Sequence, residues 1–282
     1  MPPENPGTIS NVRTNASAYF ALSLCWSAFF WFLCTRTGGI SQWPGSLLFY
    51  VGGAGPLAAA LILVQGFENR GVQRDFWVRT FDPRRIRGRW WAASLALHPF
   101  LVMAAIVLET AIGGTVAVDT EILLDPAALL SLMGFVFVFG PLPEEMGWRG
   151  VALDRLQARL PPWQAAFLLS CVWALWHLPL FFIEGTFQQS LGAGSLRFWI
   201  FTASLFPLTV LIHWVYNHTD RSILSAALVH FSGNLCGALI EKGVRLAALE
   251  LVGLTVAAVV VAQDPSLGAR PADKVDDDRE AG

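Results

Sequence analysis

The sequence predicts an all-α fold: a polytopic integral membrane protein of about eight transmembrane helices enclosing an intramembrane polar cavity. Three observations carry this. The 282 residues are 54% hydrophobic and only 14% charged, with a mean hydropathy of +0.51, whereas soluble domains carry about 25% charged residues. Runs of about 20 apolar residues, the length that crosses a bilayer, recur along the chain near 17–35, 46–66, 90–111, 126–153, 163–183, 198–216, 222–240 and 245–262. With eight crossings, fifteen of the nineteen Lys and Arg residues fall on one side, seven of them between Arg70 and Arg89. That asymmetry makes both termini cytoplasmic. The chain reads as a polar N-terminus (1–16) expected to be disordered, one membrane domain (17–262) and a disordered acidic tail (263–282) containing Asp276, Asp277 and Asp278.

Taken in order, the first run is aromatic and lacks the small-residue cleavage site of a signal peptide. The second contains Gly52, Gly53, Gly55 and Pro56, residues that admit close helix approach or a kink. The arginine-rich stretch 67–89 reads as an orientation anchor or as a surface for anionic headgroups. In the third run His98 is expected to hydrogen-bond a neighbouring helix, and Glu109, near the outer end, to reach water. The fourth run, whose apolar stretch is Leu129–Phe139, is broken by Pro141 and Pro143 and delivers Glu144-Glu145-Met146-Gly147-Trp148-Arg149. The fifth holds His177, one turn after Trp173. In the sixth, His213 has no evident partner. The seventh carries His230 and Asn234, an i, i+4 pair projecting from one face, and a Gly233/Gly237 pair suited to close packing. In the eighth, beyond Arg245 at its start, Glu250 is the only charge, to be paired with another span. The four cysteines form no Cys-x-x-Cys pair, which excludes a thiolate metal site or disulfide framework as an organising feature. No basic tract points to nucleic acid.

Charge at membrane depth is costly, roughly 2.5–3.5 kcal/mol per Asp, Lys or Arg at a helix centre, so the fourth run concentrates the chemistry. Glu145 and Arg149 are i, i+4 neighbours in the favourable order and neutralise each other. Glu144, about 100° around the helix, has no local partner and is free to react. Read as one continuous tilted helix, the run carries Glu144 roughly 20–27 Å from the outer surface. Glu144, His177 and the His230/Asn234 pair thus come from three spans at compatible depths. A carboxylate and an imidazole sharing a water can deprotonate it for attack on a carbonyl; a second imidazole and an amide N–H can hold the resulting oxyanion. The alternative is zinc: Glu144, His177 and His230 with water in an open position form a known hydrolase ligand set. No His-Glu-x-x-His is present, and no second carboxylate remains as base if Glu144 ligates metal, which favours a site with no required cofactor.

Glu144-Glu145-x-x-x-Arg149, Trp173-x-x-x-His177 and His230-x-x-x-Asn234, in that order, resemble the three-motif signature of the CAAX-protease and bacteriocin-processing (CPBP, or Abi) intramembrane endopeptidases, over about residues 126–240. The resemblance implies an eight-span helical core, a cavity open to the cytoplasm and the membrane, Glu144 and His177 activating water, and His230 and Asn234 stabilising the oxyanion. Glu145, Arg149 and Trp173 support them. Trp173 stands where the family usually has Phe, an aromatic wall that narrows the cavity. The function expected is cleavage of a peptide bond in a membrane-anchored or lipidated substrate, with the lipid bilayer as the other partner, in a bacterial plasma membrane. Two other functions fit the same spans: a non-catalytic protein of this fold giving bacteriocin immunity or peptide binding, and a small transporter. An inverted repeat, which would favour transport, is not evident.

Overall fold

The computed structural model describes residues 15–264 and Leu267; the Asp-rich tail and residues 1–14 lie outside them. The chain is helical almost throughout: α1 (Ala16–Thr35), α2 (Gly45–Gly53), α3 (Gly55–Phe67), α4 (Arg70–Phe81), α5 (Arg89–Ala111), α6 (Thr120–Leu124), α7 (Pro126–Phe139), α8 (Pro141–Gly147), a π-helical turn Trp148–Leu153, α9 (Asp154–Gln157), α10 (Pro162–His177), a 3₁₀ turn Leu178–Phe182, α11 (Phe187–Leu191), α12 (Leu196–His218), α13 (Ile223–Leu239) and α14 (Val244–Val261). Two short strands, β1 (Ala117–Val118) and β2 (Ile240–Glu241), pair antiparallel in register Ala117 to Glu241. Among the described residues six helical runs, Pro126–Gln157 and Pro162–Phe182 each taken as one, are long and apolar enough to cross a membrane, seven if the bent pair α2/α3 counts as one span; α13 is an apolar helix one residue short of that length. This is the architecture of a polytopic helical membrane protein.

Two breaks shape it. Between α2 and α3 the axis turns by 50°. A helix end inside a bilayer leaves carbonyls without partners, and here α1 supplies the donors. Trp31 Nε1 reaches the Phe49 carbonyl (3.0 Å), Trp26 Nε1 that of Val51 (2.8 Å), and Ser27 Oγ that of Gly52 (2.7 Å). Ser27 Oγ in turn accepts from Trp176 Nε1 at 2.7 Å. Gly52 is required for this fit, since a Cβ there would lie 2.5 Å from the Trp31 ring.

The second break falls where Pro141 and Pro143 predict it, inside a helical run, Pro126–Gln157, that counts as one span of 32 residues. Gly140 (φ −127°, ψ −96°) ends α7, and Pro141, which has no N–H to satisfy, opens α8. Glu144 therefore stands in the first turn of a new helix, packed against α3 and α13. The chain then widens into the π turn. There the carbonyl of Gly150 accepts from Arg79 Nη2 (3.2 Å), and that of Arg149 lies 3.1 Å from the Tyr216 hydroxyl. Side chains thus take up main-chain groups where the regular ladder is disturbed.

The main core surrounds α8 and the π turn, with Tyr19, Trp148, Trp173, Trp176, Ile212 and Tyr216 among its buried members. At one end of the bundle, loops 36–44 and 183–186 meet through Ile40 N–H to Glu184 O (3.0 Å), and loop 112–119 meets 240–243 through β1 and β2. Ion pairs bind the other end: Arg79 to Asp154 (3.0 Å), Arg155 to Glu68 (3.0 Å), Arg85 to Asp220 (2.6 Å), and Arg221 to Asp154. Glu109 is another correction. It is buried rather than in water, because Arg245 grips both its carboxylate oxygens at 2.7 Å. Of the Gly233/Gly237 pair, Gly233 alone packs closely, since a Cβ there would sit 2.4 Å from His98 Nδ1, whereas a Cβ at 237 meets nothing within 4 Å.

Candidate active site

A cavity of about 890 Å³ lies within the bundle, and Glu144, His177, His230 and Asn234 all line it. The three spans named from sequence therefore bring their polar side chains to one space. Glu144 does not face lipid; it is 8% exposed, and His177 and His230 are buried beside it at 8% and 4%. The Asn234 amide stands open in the cavity.

Trp173 ties these groups together. Its indole Nε1–H donates to Glu144 Oε2 at 2.9 Å. Its carbonyl lies 2.8 Å from His177 Nδ1. Because a carbonyl can only accept, Nδ1 carries the proton, and the free nitrogen of His177 is an unprotonated Nε2. The Trp173 ring packs edge-on to His230 (centroids 5.1 Å apart) and lies 5.6 Å from His177. The Arg149 guanidinium sits over the same ring at 5.3 Å. Trp173 is thus more than an apolar wall.

The Glu145–Arg149 pair forms as the i, i+4 spacing predicts, at 2.7 Å, with both side chains fully buried. Glu145 has a further task that spacing did not indicate: its Oε1 also accepts from His230 Nδ1 at 2.9 Å. This fixes the second imidazole with Nε2 as its free nitrogen, as carboxylates orient histidines in many sites.

The far wall of the cavity holds a cluster that the sequence did not assemble. His98 Nε2 donates to Glu250 Oε1 (2.9 Å), and Lys242 Nζ donates to the same carboxylate (2.7 Å to Oε2). The interhelical bond expected for His98 and the partner expected for Glu250 are one contact. The one acidic residue of the largely apolar α14 was the available signal; its partner lies 152 positions earlier. Arg197 also lines the cavity, at the start of α12. His213 lies outside the site, buried, with Nδ1 bonded to the Thr209 carbonyl of its own helix at 2.7 Å.

For zinc, Glu144, His177 and His230 are the chemically appropriate donors. Among the described residues, however, no three His, Cys, Asp or Glu side chains are gathered as a metal ion requires. In this arrangement the set does not fit the ion.

Fold and site together define a polytopic helical membrane protein built around a polar intramembrane cavity. Comparison with known proteins specifies the class. The family model described as type II CAAX prenyl endopeptidase Rce1-like matches residues 126–236, a span that contains every residue from Glu144 to Asn234 discussed above. A curated relative, CAAX prenyl protease 2 of Methanococcus maripaludis, is 26% identical over 267 residues, covering 90% of this chain and 96% of its own. Over these residues the chain is similar to the Rce1-like CAAX membrane proteases.

Proposed function

We propose that this protein is an intramembrane endopeptidase that hydrolyses a peptide bond of a membrane-anchored substrate with a water activated by Glu144 and His177. The observation that carries the reading is the shared cavity: one carboxylate, two imidazoles with free Nε2 atoms and one open amide, all facing the same space. Glu144, steadied by the Trp173 N–H, removes a proton from the water. His177 Nε2 accepts the second water hydrogen and aims the oxygen lone pair at the scissile carbonyl carbon. As the C–O bond forms, charge moves to the carbonyl oxygen. The Asn234 amide N–H meets it there, and the His230 imidazole, oriented by Glu145 through Nδ1, turns its Nε2 edge toward it. Glu144 then passes its proton to the leaving nitrogen, the C–N bond breaks, and a carboxylic acid and an amine depart, the acid releasing its proton to solvent. The chain crosses the membrane eight times on this reading, α13 completing the set, and needs no metal.

Replacement Glu144→Gln tests the proposal. Purified protein in detergent, assayed on a fluorogenic membrane-anchored peptide, is expected to lose at least 10³-fold in kcat with the thermal midpoint retained. Turnover by the variant within tenfold of the parent excludes Glu144 as base. Chelator added to the parent enzyme is expected to leave kcat unchanged; a loss that zinc restores overturns the metal-free mechanism.

A further inference from the structure

The end of the bundle that carries α4 is strongly basic. Between residues 68 and 89 seven arginines stand against Glu68, Asp75 and Asp82. The carboxylates at this end are spent on arginines that hold it together. Asp75 and Asp154 take Arg79, Glu68 takes Arg155, and Asp220 takes Arg85. Asp82 grips Arg84 through two N–H groups at 2.8 and 3.0 Å. Arg70, Arg74, Arg87, Arg89 and Arg159 remain. All five are exposed, and none has an acidic partner among the described residues.

Two of the five stand in line with aromatic rings. Arg70, Arg74, Trp77 and Phe81 follow at i, i+4, i+7 and i+11, one stripe of a helix, and all four are exposed. Phe76, Arg79 and Thr80, on the other face of α4, are buried. Trp77 and Phe81 stack almost parallel, with centroids 5.9 Å apart. Further along, Arg89 lies over the Trp90 ring at 5.4 Å. Arg87 lines a cavity of about 510 Å³ with Trp90 and His218, and the two aspartates there, Asp82 and Asp220, are the ones already paired. α4 joins the end of α3 to the start of α5, both parts of apolar runs able to cross a membrane, which sets it at headgroup level. Exposed tryptophan beside arginine is the composition of a helix lying in that layer.

We propose that the outward stripe of α4, with Arg87 and Arg89, is a binding site for anionic phospholipid headgroups. Phosphate oxygens take the free guanidiniums, whose planar forks suit two-pronged hydrogen bonds to phosphate, and Trp77 and Phe81 rest on the acyl-chain boundary. Charge complementarity selects this occupant: uncompensated cations at membrane level meet the anions of the membrane itself. An acidic soluble protein would answer the charges and leave the two rings without an apolar layer. The site is separate from the cavity that holds Glu144, and the inference does not depend on the hydrolytic reading.

Native mass spectrometry tests it, on the full chain released from nanodiscs of equal parts phosphatidylglycerol and phosphatidylcholine. The parent is expected to retain phosphatidylglycerol about tenfold over phosphatidylcholine, and rising salt is expected to erase the preference. The combined variant Arg70→Gln, Arg74→Gln, Arg87→Gln and Arg89→Gln is expected to lose it; the four corresponding Lys replacements keep the charge and most of the preference. Arg36→Gln, at the other end of the bundle, is expected to change nothing. Equal retention of both lipids by the parent overturns the proposal, as does a preference that survives in the Gln variant or disappears with Arg36→Gln alone. Should the Gln variant not fold, the parent decides: a preference undiminished by salt overturns the proposal. Millimolar inorganic phosphate is expected to leave the lipid bound; complete displacement assigns the site to a free anion and overturns the lipid. Binding of polyglutamate in detergent without any lipid preference assigns the stripe to an acidic protein, which also overturns it.

Discussion

At the scale of single residues, Trp173 contributes through three different atoms: the indole N–H to Glu144, the carbonyl to His177, and the ring face shared by Arg149 and His230. Phe at this position keeps the second and third and loses the first. A hydrogen bond to a charged group contributes about 1.5–3 kcal/mol, so Trp173→Phe is expected to lower kcat about tenfold or more with KM little changed, whereas Trp173→Ala also loosens both imidazoles and costs more. Steady-state kinetics on the two variants checks this. The Glu145–Arg149 pair gives a stability counterpart. Arg149→Met leaves Glu145 buried beside His230 without its guanidinium and is expected to destabilise by about 3–5 kcal/mol, while Glu145→Gln combined with Arg149→Met recovers part of the loss; thermal unfolding in detergent measures both. The pair was legible in the sequence because i, i+4 spacing alone brings the charges together. The Trp173–Glu144 bond was not, since its partners are 29 positions apart on different helices and nothing in either local sequence names the other.

At the scale of elements, the apolar runs were legible because a bilayer imposes both length and composition on anything that crosses it. Each run lies in helical chain, six of them, or seven with the bent second run, long and apolar enough to cross a membrane among the described residues, and the glycines and prolines at 52–56 and 140–143 mark both breaks. What periodicity could not give was the consequence of a break. The end of α7 at Gly140 starts α8 afresh within the same span and places Glu144 in its first turn. The π turn that follows depends on Arg79 and Tyr216, both remote in sequence. Gly233 presents a similar case: a small residue in a helix announces a close approach without saying to what, and here it is the His98 ring. Gly233→Val is therefore expected to cost about 1–3 kcal/mol through overpacking, read as a lower thermal midpoint. Adding His98→Ala should recover part of that loss, because the clash is with that ring.

For the whole molecule, one end is locked by ions. Arg79 does not line the cavity yet joins α4 to α9 and α12. Arg79→Ala is expected to destabilise the protein by about 3–5 kcal/mol while kcat of the folded fraction is unchanged, which unfolding curves and active-site-normalised rates distinguish. Arg221 stands outside the spanning helices, and the Asp154 carboxylate beside it holds its guanidinium well above the usual arginine value. A raised folded value means the stabilisation is complete below the unfolded arginine's own pKa and is lost only above it. Between about pH 6 and 10 the Arg221 contribution is therefore flat, and the difference in unfolding midpoint between parent and Arg221→Met is expected to be constant over that range.

The helix that carries the chain to Gly140 has a further consequence. α7 forms one side of the chamber with Phe135, Val136 and Phe139, yet none of its residues is buried. Acyl chains, rather than protein, press on most of its surface. Its tilt must therefore follow the thickness of the surrounding hydrocarbon, and with it, on the proposed function, the width of the chamber that a membrane-anchored substrate would enter. Reconstituted in nanodiscs of increasing lipid length, the enzyme should show a KM that tracks bilayer thickness while kcat stays level. Lipid length would then act as a rheostat on entry, with the chemistry at Glu144 left alone.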